Sequence, residues 1–356
     1  MKKKFGFIML CCVLAVKGFS QEIVYRDATQ FTIVGKKDAS GPVYHRVDTA
    51  AYRTMPVPVK HLFTNSSGLA VCFKTDSPEI WAEWTVHPLS MGNMAPMGHS
   101  GLDLYIRREG QWVYAESEAP RGATTRSCIV RNMTTGKKEC ILYFPLYNEL
   151  RDLKIGIRTG CSIEPLPNPF KKKIIVYGSS ITQGAAASRP GLAYPARLSR
   201  ETGYEFVNLG LSGNGKMEKS VADMLADIEA DAYILDCMPN PSTEQIKERT
   251  AYLVKTIRER NPSAPIIMIE SVYYENANFD TSIYERECRK REAFYREYLK
   301  LKKERVPKLY YIKGEKLIGE NHEGTIDGVH PTDEGFATMT KILKKSIVKI
   351  FKKNGI

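Results

Sequence analysis

The chain lacks the features that would assign it to several large functional classes. The apolar run Phe5 to Val16 falls short of the ~20 residues of a transmembrane helix and soon gives way to polar sequence, so no stable membrane span is expected. None of the cysteines forms CxxC or zinc-finger spacing. The histidines (His45, His61, His87, His99, His322 and His330) include no HExxH, the spacing that sets two ligands on one helix face. No metal and no other cofactor is implied. GxSxG, the nucleophile elbow of α/β-hydrolases, is missing too, and Gly98-His-Ser-Gly-Leu102 fails it at the last position. Gly210 to Lys216 fits GxxxxGK, but Met217 stands where a phosphate-binding loop needs Ser or Thr for magnesium.

What is present begins with an address. Lys2, Lys3 and Lys4 precede the apolar run, and Gly18, Phe19 and Ser20 follow it, the layout of a secretory signal peptide. Residues 1–20 are therefore expected to be removed and the mature chain exported, to periplasm or medium. Cys11 and Cys12 raise a lipid-anchored alternative, although small residues do not precede them and the apolar run continues beyond. The formal charge of +12 falls to +8 once the four lysines of that segment are removed. This moderate excess on an exported chain reads as a solvated surface, and no nucleic-acid partner is expected. The sequence is silent on oligomeric state.

Residues 21–168 consist of short alternating segments between Gly, Pro, Asn, Asp and Ser clusters, among them Leu69 to Phe73, Ile80 to Val86, Leu102 to Arg107, Gln111 to Ala115 and Glu139 to Phe144. Period-two patterning at this spacing predicts an antiparallel β-sandwich, jelly-roll-like in type. Trp81, Trp84 and Trp112 all lie here; core or interface roles are favoured over sugar stacking. The Met- and Gly-rich loop Met91 to Ser100 is expected to face a neighbouring domain. Of the six cysteines beyond the signal segment, Cys128 and Cys140 are the pair to test first for a disulfide, with free buried thiols at least as well supported.

The proline-rich stretch Glu164 to Phe170 separates this region from residues 169–356, where the texture changes. Apolar runs at Ile174–Tyr177, Glu205–Leu209, Ala232–Asp236, Pro265–Ile269 and Leu309–Ile312 alternate with helical patterns at Ala193–Thr202, Met217–Ile228, Ser242–Asn261, Thr281–Lys303 and Thr332–Lys353. Such alternation predicts an α/β domain with a doubly wound parallel sheet. The lysines of the last helix fit either an anionic membrane surface or, preferably, a solvated face behind an apolar stripe docked on the sheet.

Ser180 sits in a Gly-Ser-Ser turn at the carboxyl end of the first apolar run, where open α/β sheets place ligands. A serine nucleophile needs a base, an orienting group for that base, and oxyanion donors. Asp327 and His330 stand three residues apart in Thr325 to Pro331, before the last helix, and Pro331 restricts His330 to extended geometry. Gly213 follows the second run and Asn240 the third, so each can supply a hydrogen-bond donor to the same crevice.

The ordered blocks Gly-x-Ser, Gly, Asn and Asp-x-x-His resemble the SGNH (GDSL-type) hydrolase superfamily over roughly Lys171 to Ile356. The preceding GLDLY segment, Gly101 to Tyr105, is similar to the β-sandwich domain that precedes some exported bacterial SGNH esterases. The resemblance implies a flavodoxin-like sheet, Ser180 as nucleophile, His330 as general base and Asp327 as its orienter. It further implies an oxyanion hole of Gly213, Asn240 and the Ser180 N–H. Ser179 and Pro241 depart from the commonest motifs, which have Asp at both positions; this bears on subfamily and substrate. An exported serine esterase acting on acetyl or other short acyl esters of carbohydrate is the function implied, with a small-molecule or glycan ester as partner. A lipid esterase, and a glycan-binding protein with an inactive hydrolase domain, are the competing expectations. Arg189 reads equally as a contact for a polar substrate group and as a structural ion-pair residue.

Overall fold

The computed structural model describes residues 22–356; the expected signal segment and Cys11 and Cys12 lie outside them. Ten strands come first: β1 (Ile23–Asp27), β2 (Thr32–Val34), β3 (Ala70–Thr75), β4 (Ile80–Thr85), β5 (Leu102–Arg108), β6 (Gln111–Glu118), β7 (Thr124–Val130), β8 (Lys138–Tyr143), β9 (Asp152–Arg158) and β10 (Ile163–Pro165). They form two antiparallel sheets, ordered β1-β9-β4-β7 and β10-β3-β8-β5-β6, with β2 beside β3. Alternation explains the packing. In β4, Ile80, Ala82 and Trp84 point inward while Trp81 and Glu83 do not, and the inward set meets Leu104, Leu142 and Leu153 in one core. Trp84 is thus a core residue, and Trp112 packs against Arg107. Cys128 lies in one sheet and Cys140 in the other, and the six described cysteines are free thiols.

Two short helices interrupt the sandwich, α1 (Val57–Thr64) and α2 (Pro96–Ser100). The buried face of α1, Val59 and Phe63, joins the core of the parallel sheet and not that of the sandwich. The two regions therefore share a core.

Five parallel strands follow: β11 (Lys171–Gly178), β12 (Tyr204–Gly210), β13 (Ala232–Asp236), β14 (Ile266–Ile269) and β15 (Leu309–Ile312), ordered β12-β11-β13-β14-β15. This is the flavodoxin-like order, in which β11 is the first strand and the switch point falls at its carboxyl end. Helices α3 (Ser180–Gln183), α4 (Tyr194–Thr202), α5 (Lys219–Ala226), α6 (Thr243–Arg260), α7 (Thr281–Lys303) and α8 (Asp333–Lys353) complete the fold. Successive strand residues face opposite ways. Ile175 and Tyr177 pack toward α5, α6 and α7, while Ile174 and Val176 pack toward α4 and α8. In α8, Phe336, Met339, Leu343, Ile347 and Phe351 recur at helical spacing and are all buried against the sheet. Its lysines are left outside this stripe, Lys344 pairing with Glu201 at 3.1 Å. No described helix is long and apolar enough to cross a membrane.

Candidate active site

The Gly-Ser-Ser turn is fixed from below. Gly178, the last residue of β11, pairs with Gly210 on one side and Asp236 on the other. A side chain there would collide with the Thr182 hydroxyl and the Asp236 carbonyl. Ser179 is extended and caps α3, its hydroxyl accepting from the Ile181 N–H at 3.2 Å. Asp and Ser are both favoured helix caps, so the departure at Ser179 keeps the cap and removes a charge. Ser180 opens α3 and is nearly buried.

The imidazole comes from the loop before α8. A bridge between Thr325 and Pro331 closes it, and the Ile326 N–H donates to the His330 carbonyl at 2.9 Å. Gly328, at φ +84°, turns the chain in the left-handed region where any Cβ would press on Asn276. Within the loop Asp327 Oδ1 accepts from the His330 N–H at 2.8 Å and the Val329 N–H at 3.1 Å. Asp327 Oδ2 meets His330 Nδ1 at 2.8 Å, and His330 Nε2 meets Ser180 Oγ at 2.9 Å. A neutral imidazole that donates through Nδ1 must accept through Nε2, so the Ser180 hydroxyl donates to it. Burial alone would raise the Asp327 pKa, but the His330 N–H, its ring and the Asn93 amide together hold it down to about 2. The carboxylate is therefore charged at every working pH. Helix α8 starts after Thr332, whose hydroxyl accepts from the Gly335 N–H.

The two strands flanking β11 carry the remaining residues. Gly213 follows β12 at φ +67°, with open space where a side chain would lie. Asn240 follows β13; its Oδ1 accepts from the Gly215 N–H at 3.0 Å, which turns the amide nitrogen, a donor, to the other side. The two loops are thereby tied to each other across the end of β11.

Side chains from the sandwich region brace this crevice, and the sequence pattern gives no sign of them. Arg46 is fully buried and donates to the carbonyls of Asn208 and Gly210 at 3.1 and 2.7 Å, at the end of β12, and to Asn65 and Leu62. Burial without a carboxylate lowers its pKa to about 9. The Ser67 hydroxyl donates to the Gln183 carbonyl at 2.6 Å. Asn93, in the loop expected to face a neighbouring domain, donates to Asp327 Oδ2 at 3.1 Å. Under the turn, Asp236 accepts from the hydroxyls of Thr182 and Tyr194 at 2.7 and 2.9 Å, with no cation among the described residues beside it, and burial raises its pKa to about 7. Arg189 is held by Asp103 of β5, so of its two expected roles the structure supports the ion pair.

Serine, imidazole and carboxylate in hydrogen-bonded series at the switch point of a doubly wound sheet define a class: ester hydrolases of the SGNH type. The chain belongs to the GDSL-like lipase/acylhydrolase family, whose model matches residues 171–348. Residues 23–163 match the GxDLY domain found at the N-terminus of SGNH-hydrolase-type esterases. A candidate GDSL-like lipase from Bacteroides ovatus is 52% identical over 93% of this chain and 98% of its own, with a TM-score of 0.92. More distant structures share the fold. A salicylyl-acyltransferase from a tetracycline biosynthetic pathway is 19% identical, covering 92% of this chain and 97% of its own, at a TM-score of 0.73. An acetyl xylan esterase from Butyrivibrio proteoclasticus is 14% identical, covering 94% and 99%, at 0.57. None of the curated proteins compared with the chain matches it.

Proposed function

We propose that the protein is an exported esterase that removes acetyl or other short acyl groups from carbohydrate esters through an acyl-enzyme on Ser180. The observation that carries the catalytic part is the unbroken series Ser180 Oγ, His330 Nε2, His330 Nδ1 and Asp327 Oδ2, at 2.9 and 2.8 Å. As Ser180 Oγ attacks the ester carbonyl, His330 takes its proton through Nε2. Asp327 stabilises the imidazolium through Nδ1, and the Gly213 N–H, Asn240 amide and Ser180 N–H receive the oxyanion. His330 returns the proton to the leaving alcohol. It then takes one from water, which attacks the acyl-enzyme, and returns it to Ser180 Oγ as the acyl C–O bond breaks and the acid is released.

Fold relatives and the leader segment support the substrate class. The acetyl xylan esterase and a family-two carbohydrate esterase from Clostridium thermocellum share the fold. The lysine-led apolar segment at residues 1–20 favours export and contact with extracellular glycan. We assign residues 21–168 to the sandwich domain and 169–356 to the hydrolase domain. A lipid esterase is the second reading, favoured by Ile326, more than half exposed beside Asp327. Rates on p-nitrophenyl esters of increasing acyl length, followed by acetate release from acetylated xylan and other acetylated glycans, test the proposal. A maximum at acetyl with acetate released from at least one glycan is expected. A maximum at long chains would select the lipid reading instead.

A further inference from the structure

Asp327 accepts three hydrogen bonds from its own loop, from the His330 N–H, the Val329 N–H and His330 Nδ1. The fourth reaches it from 234 positions earlier in the chain, where Asn93 Nδ2 donates to Oδ2 at 3.1 Å. Oδ2 is the same oxygen that holds the imidazole. Both backbone N–H donors of the loop bind Oδ1, so within the loop only the ring itself fixes the position of Oδ2.

Asn93 is held in place by its neighbours. A bridge joins Met91 to Met94 around it, and both methionines pack into the core shared by α4, α8 and Ile181. The turn is thus fastened to the hydrolase side by apolar contact at each end. Its chemistry also suits the position. A carboxylate about one-third exposed can rotate about its last torsion, and a donor on Oδ2 fixes that plane. A neutral amide does so without cancelling the charge that must stabilise an imidazolium; a Lys or Arg there would compete for it.

We infer that Asn93 is a positioning residue for the Asp327 carboxylate, so that the N-terminal sandwich supplies one link of the hydrogen-bond series that ends at Ser180. The inference rests on the esterase reading of the site.

Steady-state hydrolysis of p-nitrophenyl acetate tests it with Asn93→Ala, Asn93→Asp, Asp327→Asn and the double variant Asn93→Ala/Asp327→Asn, and with Ser180→Ala as control. Asn93→Ala is expected to lower kcat about three- to tenfold, the scale of one hydrogen bond to a charged group already bonded elsewhere, with KM unchanged. Asn93→Asp keeps the shape but sets a second carboxylate against Asp327, and its kcat falls further. Because Asn93 acts through the carboxylate, Asn93→Ala costs less than about twofold in the Asp327→Asn background. A wild-type kcat in Asn93→Ala overturns the inference, as does a full loss repeated on top of Asp327→Asn, whether or not the melting temperature moves. Activity that survives Ser180→Ala overturns the esterase reading itself, a separate outcome.

Discussion

Arg189 Nη1 donates to both carboxylate oxygens of Asp103, each at 2.9 Å, and so ties the segment after the Ser180 turn to strand β5 of the sandwich. Asp103 Oδ2 also accepts from the Gly191 N–H at 2.7 Å. Arg189 further donates to the Tyr105 hydroxyl at 2.7 Å and lies over the Tyr114 ring at 3.8 Å. Asp103 and Tyr105 are the acidic and aromatic residues of the GLDLY segment. That segment is therefore a clasp on the chain that follows Ser180.

Replacing Asp103 by Ala leaves a largely buried guanidinium without its counterion, a loss of about 3 kcal/mol or more. The denaturant midpoint should fall accordingly. A substrate-binding role for Arg189 would instead appear as a raised KM at unchanged stability.

Asn240→Ala removes the amide proposed to bind the oxyanion. A fall in kcat of about a hundredfold is expected, with KM nearly unchanged. Undiminished kcat would place the oxyanion elsewhere.

Asp327→Asn should lower kcat by about a thousandfold or more, because the amide can favour the wrong imidazole tautomer. In the parent enzyme Asp327 stays ionised, since its folded pKa of about 2 lies below the ordinary 3.8. Its contribution to stability is present above 3.8 and lost as pH falls toward 2. The acid limb of kcat/KM should therefore carry no proton from Asp327. A limb steeper than one proton would show that the carboxylate titrates.

Asp236 has the opposite sign. Its folded pKa of about 7 lies above the ordinary 3.8, so the folded state holds the proton that the unfolded state loses. Its contribution to stability is present below 3.8 and is lost as pH rises to 7. Asp236→Asn does not titrate there. Its unfolding free energy minus that of the parent should rise between pH 4 and 7, by about 3 kcal/mol. A difference flat with pH would mean that Asp236 is charged in the fold.

Much of the hydrolase domain was legible in local pattern. Thr281–Lys303, Ala232–Asp236 and Leu309–Ile312 form as read, because buried parallel strands need continuous apolar runs and amphipathic helices need a periodic stripe. Ser180, Asp327 and His330 meet because each sits in a strand-end or pre-helix loop that topology brings to one crevice. The support from the sandwich was not legible. Arg46 is a buried cation held by carbonyls, where composition leads one to expect a surface residue. Asn93 is one amide in a Met- and Gly-rich loop. Val59 and Phe63 join a core whose strands begin more than a hundred residues later. Such contacts depend on how two regions pack together, which no local period encodes.

The proposed acyl-enzyme on Ser180 is tested most directly by release of p-nitrophenol from its acetate ester by Ser180→Ala, with the melting temperature measured on the same sample. Loss of activity to background with an unchanged melting temperature is predicted. Turnover at the parent rate would contradict the account.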